Sequence, residues 1–142
     1  MSFRDISDPT DLKRIKEVIA AAPDPQRLVP LEIKHMEISW NASEQLLSVA
    51  ASLLQDENVE PVGAKVLFLT DTVEIFKGQR NFKNVVFEAL SKYFKVTWLK
   101  LEAEGVVKVD EKTLEAASAA LAGFDLLVGL GGGTIKIGRA HV

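Results

Sequence analysis

The densest chemistry in the chain sits in "GLGGGT", residues 129–134, where three glycines in a row follow the apolar run "DLLVGL" (125–130). Lacking Cβ atoms, Gly131, Gly132 and Gly133 let backbone N–H groups approach a phosphate closely. A helix opening behind them would aim its unpaired amides and positive dipole end at the same anion, and the Thr134 hydroxyl would add a donor. A plain glycine-rich turn with no ligand is the simpler alternative. The position of the run, between a buried strand and an expected helix, favours phosphate contact.

Two familiar glycine motifs do not fit. The P-loop requires Gly-Lys-Ser or Gly-Lys-Thr after a four-residue gap, and the chain contains no such tripeptide. A Gly-x-Gly-x-x-Gly fingerprint beginning at Gly129 would need glycine or alanine where Thr134 stands. Its ribose-binding acid, expected ~20 residues further on, has no counterpart here.

An acid does stand upstream. Asp71 closes the run "KVLFLT" (65–70), and in a parallel sheet it would lie on the same edge as the glycines. Its carboxylate suits ribose hydroxyls and would repel a 2′-phosphate. A solvated strand-end aspartate, or one folded into an Asx-turn, fits the spacing as well. Lys77 and Arg80, in "EIFKGQRN", would suit phosphate but read more simply as a charged surface loop. The two histidines, His35 and His141, have no ligand partner at i, i+4 spacing and read as structural.

The elements that must position these groups are legible in the hydrophobic pattern. "DPTDLKRIKEVIAAAPDP" reads as a short amphipathic helix with Asp8 as cap, Pro9 at the first helical position and the pair Pro23 and Pro25 as its stop. "LEIKHMEISW" (31–40) alternates loosely like a strand through Ile33, Met36 and Ile38. "NASEQLLSVAASLLQ" predicts a helix capped by Asn41, with Glu44 three residues on. From residue 65 the chain alternates regularly. "KVLFLT" is a strand, "NFKNVVFEALSKYF" a helix, and "KVTWLKL" a strand. "DEKTLEAASAALAG" is then a helix between Asp110 and Gly123, and "DLLVGL" a strand. This alternation means an α/β fold, a parallel sheet with helices on both faces.

Composition narrows the function classes. The 142 residues suffice for one domain with a core, and 47% hydrophobic against 26% charged residues is an ordinary globular balance. No apolar run approaches the ~18 residues of a membrane span, and the N-terminus lacks the pattern of a secretory signal, so no membrane partner is expected. With no cysteine, disulfides and thiolate chemistry drop out, and a reducing, cytoplasmic setting is expected. A net charge of −3 without a basic stripe argues against nucleic acid.

Two segments together carry a family resemblance: "AKVLFLTDT" and "FDLLVGLGGGTI", preceded by the helix "NASEQLLSVAASLL". Over residues 31–135 the chain resembles the nucleotide-binding half of the iron-containing alcohol dehydrogenase and glycerol dehydrogenase superfamily. Within that group it looks most like the sn-glycerol-1-phosphate dehydrogenase branch. The resemblance implies a Rossmann-like, partial dinucleotide-binding domain over 31–135, behind an N-terminal helix and connector (1–30). It implies NAD or NADP as cofactor, the pyrophosphate on Gly131, Gly132, Gly133 and Thr134, and the adenosine ribose on Asp71. The implied reaction is hydride transfer to or from a small polyol or its phosphate, glycerol-1-phosphate and dihydroxyacetone phosphate first among them. A divalent zinc or iron ion would polarise the oxygen. Its ligands come, in the family, from a C-terminal helical domain that this chain lacks. The whole enzyme would be a homo-oligomer acting on a small molecule. A dehydroquinate-synthase-like enzyme and a non-catalytic nucleotide- or sugar-phosphate-binding module are the competing readings.

The last residues break the resemblance. The family places an aspartate where Ile137 stands, and "KIGRAHV" (136–142) matches nothing in it. Residues 137–142 instead resemble the translation of a common sequencing adapter, ATC-GGA-AGA-GCA-CAC-GTC. The expectation is a non-native tail over 136–142, on a fragment that is inactive alone and binds dinucleotide weakly.

Overall fold

An unbroken stretch of apolar residues makes β1 (Lys65–Asp71) the middle of a three-stranded sheet. Val66, Leu67, Phe68, Leu69 and Thr70 are all buried, so both faces of this strand are covered. β4 (Lys95–Leu101) lies parallel to it on one side, with Trp98 opposite Phe68. β5 (Leu126–Leu130) lies parallel on the other, with Val128 opposite Phe68. The computed structural model describes residues 6–102 and 111–131. Within them the protein is α/β, a parallel sheet flanked by helices, with strand order β4-β1-β5.

The chain divides into two compact units, residues 1–46 and 47–142. The second carries the sheet. It opens one residue into α2 (Leu46–Asp56), whose Ala50 and Leu54 are buried at i, i+4 spacing. After β1 the chain makes a small hairpin of β2 (Phe76–Lys77) and β3 (Arg80–Asn81), turning on Gly78 and Gln79. Gly78 has φ +66°, as a two-residue hairpin turn demands, and an added Cβ would touch nothing within 4 Å. A Gly78→Ala change therefore carries only a backbone cost, about 1–2 kcal/mol. A chemical-denaturation midpoint unchanged by it would refute the turn.

α3 (Phe82–Ser91) starts where the Asn81 side chain accepts a hydrogen bond from the Lys83 backbone N–H at 3.0 Å. Its buried stripe is Lys83, Val86 and Leu90, at helical spacing. Asn81→Ala is expected to lower stability by about 0.5–2 kcal/mol in a urea melt, the usual value of a lost cap. An equal loss from Asn81→Ala and Asn81→Ser would show that capping is not its role. α4 (Glu111–Ala120) buries Ala117, and Gly123 at φ +83° turns the chain toward β5. Asp110, the expected cap of α4, lies outside the described residues. β5 is tied at its start by a reciprocal pair: the Asp125 N–H donates to the Lys65 carbonyl, and the Lys65 N–H donates to Asp125 Oδ2, both at 2.8 Å.

Three local expectations are corrected. α1 (Leu12–Ala20) is capped by Asp11, which accepts from the Arg14 N–H at 2.9 Å. Asp8 is instead folded onto Thr10, accepting from its N–H at 2.8 Å and its hydroxyl at 2.7 Å. Those two bonds, the hydroxyl first, hold the Asp8 carboxyl below its usual pKa. Asn41 makes no side-chain cap, because its φ −117°, ψ 30° is not the extended geometry that aims a cap. The chain passes through a 3₁₀ turn, Ala42–Gln45, before α2 begins. Residues 31–40 form no strand. Their apolar positions change parity between Ile33 and Met36, so an extended strand would split them across both faces. Ile33, Ile38 and Trp40 are exposed. Among the described residues no helix is long and apolar enough to cross a membrane.

Candidate functional site

Parallel strands bring their carboxyl ends to one edge, and strand order determines which ends are neighbours. From β1 the chain crosses to β4 on one side and then returns past β1 to β5 on the other. A reversal of this kind is where open parallel sheets bind ligands. The last paired residues of β1 and β5 are Thr70 and Leu130, so the next residues along are Asp71 and Gly131. The sheet thus brings the sequence-predicted acid and the first of the predicted glycines together. Gly132, Gly133 and Thr134 lie outside the described residues.

The end of β1 is held rigidly from below. Thr70 is fully buried and its hydroxyl accepts a hydrogen bond from the Trp98 indole N–H at 2.9 Å. The Trp98 ring lies 5.2 Å from Phe68 and 5.1 Å from Phe87 between centroids, and the Lys100 ammonium sits 4.3 Å from its centre. Above this packed floor opens a cleft of about 270 Å³, lined by Asp71, Glu74, Asn84, Trp98, Lys100 and Glu102 among others.

Asp71 enters the cleft already engaged. Its Oδ1 accepts the Val73 N–H at 3.1 Å, an Asx-turn, and also the Lys83 ammonium. Lys83, only 3% exposed, donates as well to the Asp71 carbonyl at 2.8 Å and to the Val73 carbonyl. Its three N–H donors thus meet three acceptors, two on the last residue of β1 and one on the loop that follows. Among the described residues, Oδ2 of Asp71 has no hydrogen-bond partner. The Asx-turn reading of Asp71 is thus the one the structure shows, made by Oδ1.

Lys83 belongs to no motif that marks it in the sequence. The signal was in the helix pattern, because Lys83 shares the i, i+3, i+7 face of Val86 and Leu90. A lysine on a buried face needs a compensating acceptor nearby, and Asp71 is that acceptor. Of the two basic residues weighed for phosphate, Arg80 forms an exposed ion pair with Glu88 at 2.9 Å, while Lys77 is exposed on the hairpin. His35 is exposed, and His141 lies outside the described residues. Among the described residues no three His, Cys, Asp or Glu side chains assemble into a group that would hold a metal ion. Comparison of the chain with protein-family models, with curated proteins and with solved structures finds no match.

Proposed function

We propose that this chain is the nucleotide-binding part of a metal-dependent NAD(P) dehydrogenase, Rossmann-like in fold. The observation that carries the reading is the adjacency of Asp71 and Gly131 at the point where strand order reverses. A ribose needs a fixed acceptor, and Asp71 Oδ2 is one. A pyrophosphate needs unhindered backbone amides, and the run from Gly131 through Gly133 to Thr134 would supply them. The dinucleotide would bring the hydride chemistry; a zinc or iron ion, as Lewis acid, would require ligands that the described residues do not include. The substrate of the whole enzyme would be a small polyol or its phosphate, with glycerol-1-phosphate and dihydroxyacetone phosphate the leading pair. The whole enzyme would work in the cytoplasm as a homo-oligomer.

The test is an amide NMR titration of the 142-residue chain with NAD and with ADP-ribose. Shifts are expected at Asp71, Thr72, Val73 and at Gly129 and Gly131, saturating at about 1 mM or weaker, on the order of −4 kcal/mol of binding. Asp71→Asn should weaken that response about tenfold or more, since hydrogen bonds to charged acceptors are the strong ones. Shifts confined to other parts of the molecule, or none at millimolar ligand, would rule out the nucleotide reading.

A further inference from the structure

We infer that β4 is a docking edge for a second copy of this chain, which adds its residues 31–37 there as an antiparallel strand. The pairing needs no nucleotide and is independent of the dehydrogenase reading.

Two unpartnered features of the chain match. The first is the edge itself: β4 is an outer strand of the sheet and, among the described residues, pairs with β1 alone. The Lys95 N–H donates inward to the Ala64 carbonyl at 2.9 Å, so by alternation the backbone groups of Val96, Trp98 and Lys100 point outward. The second is the segment "LEIKHME" (31–37), which forms no regular structure and leaves Ile33 exposed, with Ile38 and Trp40 exposed just beyond it. Within one copy neither feature finds a strand partner among the described residues.

Charge selects the occupant. β4 carries Lys95 and Lys100, both exposed, at the same separation as the exposed Glu32 and Glu37 of the segment. None of Glu32, Glu37 and Lys95 has an ion-pair partner among the described residues. With Thr97 placed opposite His35, Glu37 falls opposite Lys95 and Glu32 opposite Lys100. The apolar positions coincide in the same register: Leu101 meets Leu31, Leu99 meets Ile33 and Val96 meets Met36. The change of parity that denies the segment a single apolar face is repeated in β4, where Trp98 and Leu99 are half-buried in succession. Lysines on a sheet edge ordinarily discourage pairing. Here they would repel a second β4, laid antiparallel with Lys95 against Lys100, and admit a strand with acids at the matching spacing. β5, the other outer strand, has no charged residue between Leu126 and Leu130 to meet the glutamates. The antiparallel direction follows from its more stable ladder. Each copy offers both the edge and the segment, so the exchange is reciprocal and closes as a two-fold dimer.

The chain has no cysteine, so introduced thiols report the pairing directly. Chains carrying His35→Cys and chains carrying Thr97→Cys, mixed at roughly 0.1 mM and oxidised, should give a disulfide-linked pair in clear excess over either chain alone. A mixture that links no more than its separate components overturns the inference. Preferred linking of Thr97→Cys to Lys34→Cys, the neighbour expected for a parallel strand, overturns the antiparallel register. Sedimentation equilibrium tests the charges. Glu32→Lys with Glu37→Lys should weaken the dimer about tenfold or more, and adding Lys95→Glu and Lys100→Glu to the same chain should restore it. All four side chains are exposed, so folding does not depend on them. A wild type still monomeric at roughly 1 mM, or a dimer indifferent to the charge reversal, overturns the inference.

Discussion

Cutting Phe68 back to alanine is expected to lower the stability of the sheet-bearing unit by about 3–5 kcal/mol. Phe68 is completely buried, on the central strand, with the rings of Trp98 and Phe87 at 5.2 and 6.4 Å. Removing it opens a cavity that Val128 and Trp98, fixed opposite it by the strand register, have little freedom to fill. Small domains have only about 5–15 kcal/mol in total, so this one change brings the unit close to unfolding at room temperature. Leu126→Ala, on the half-buried β5, should cost distinctly less. Urea denaturation followed by near-ultraviolet circular dichroism of Trp98 would compare the two. If the Phe68 variant lost no more than the Leu126 variant, β1 would not be the centre of the core.

Lys83→Met carries the second large effect, a loss of about 3–5 kcal/mol, typical of breaking one side of a buried ion pair. The cost comes from what stays behind. The Asp71 carboxylate and the Asp71 and Val73 carbonyls lose one shared donor, and the pair is too buried for water to replace it fully. Neutralising the orphaned carboxylate should repair part of the damage. The double variant Asp71→Asn with Lys83→Met is expected to be more stable than Lys83→Met alone. Additive losses in that double-mutant cycle would mean that the two side chains do not act as a pair.

β1 was legible because burial on both faces writes itself as an unbroken apolar run, and β4 because β-forming residues at its half-buried positions alternate with exposed polar ones. "KVTWLKL" coincides with β4, and "KVLFLT" misses only Asp71 at the end of β1. The same logic misled at 31–40, where apolar residues without consistent parity and without a paired strand gave no regular structure. The β2–β3 hairpin went unread, since two-residue strands carry no periodicity and only Gly78 marks the turn. Asp71 was found because it ends a strand, a position with one-dimensional meaning. Its neighbours were not: strand order alone brings Gly131 beside it, and Lys83 reaches it from twelve residues away across a hairpin. Asn41 shows the limit for caps, because residue type and spacing were right while the backbone angles were not.

The strand order also sets a sequence of events during synthesis. β1 and β4 can pair as soon as Leu101 has left the ribosome, but β5 ends 29 residues later, at Leu130. At roughly 5–20 residues per second, that is an interval of about 1.5–6 s. Throughout it, β1, the strand destined for the deepest burial, presents one bare edge, the kind of surface that recruits a strand from another chain. The Asp125–Lys65 pair, which joins residues 60 apart, is among the first contacts that can close this edge. Parallel pairing over such a separation forms slowly. The nascent chain therefore has its greatest need of a chaperone in the few seconds between β4 and β5.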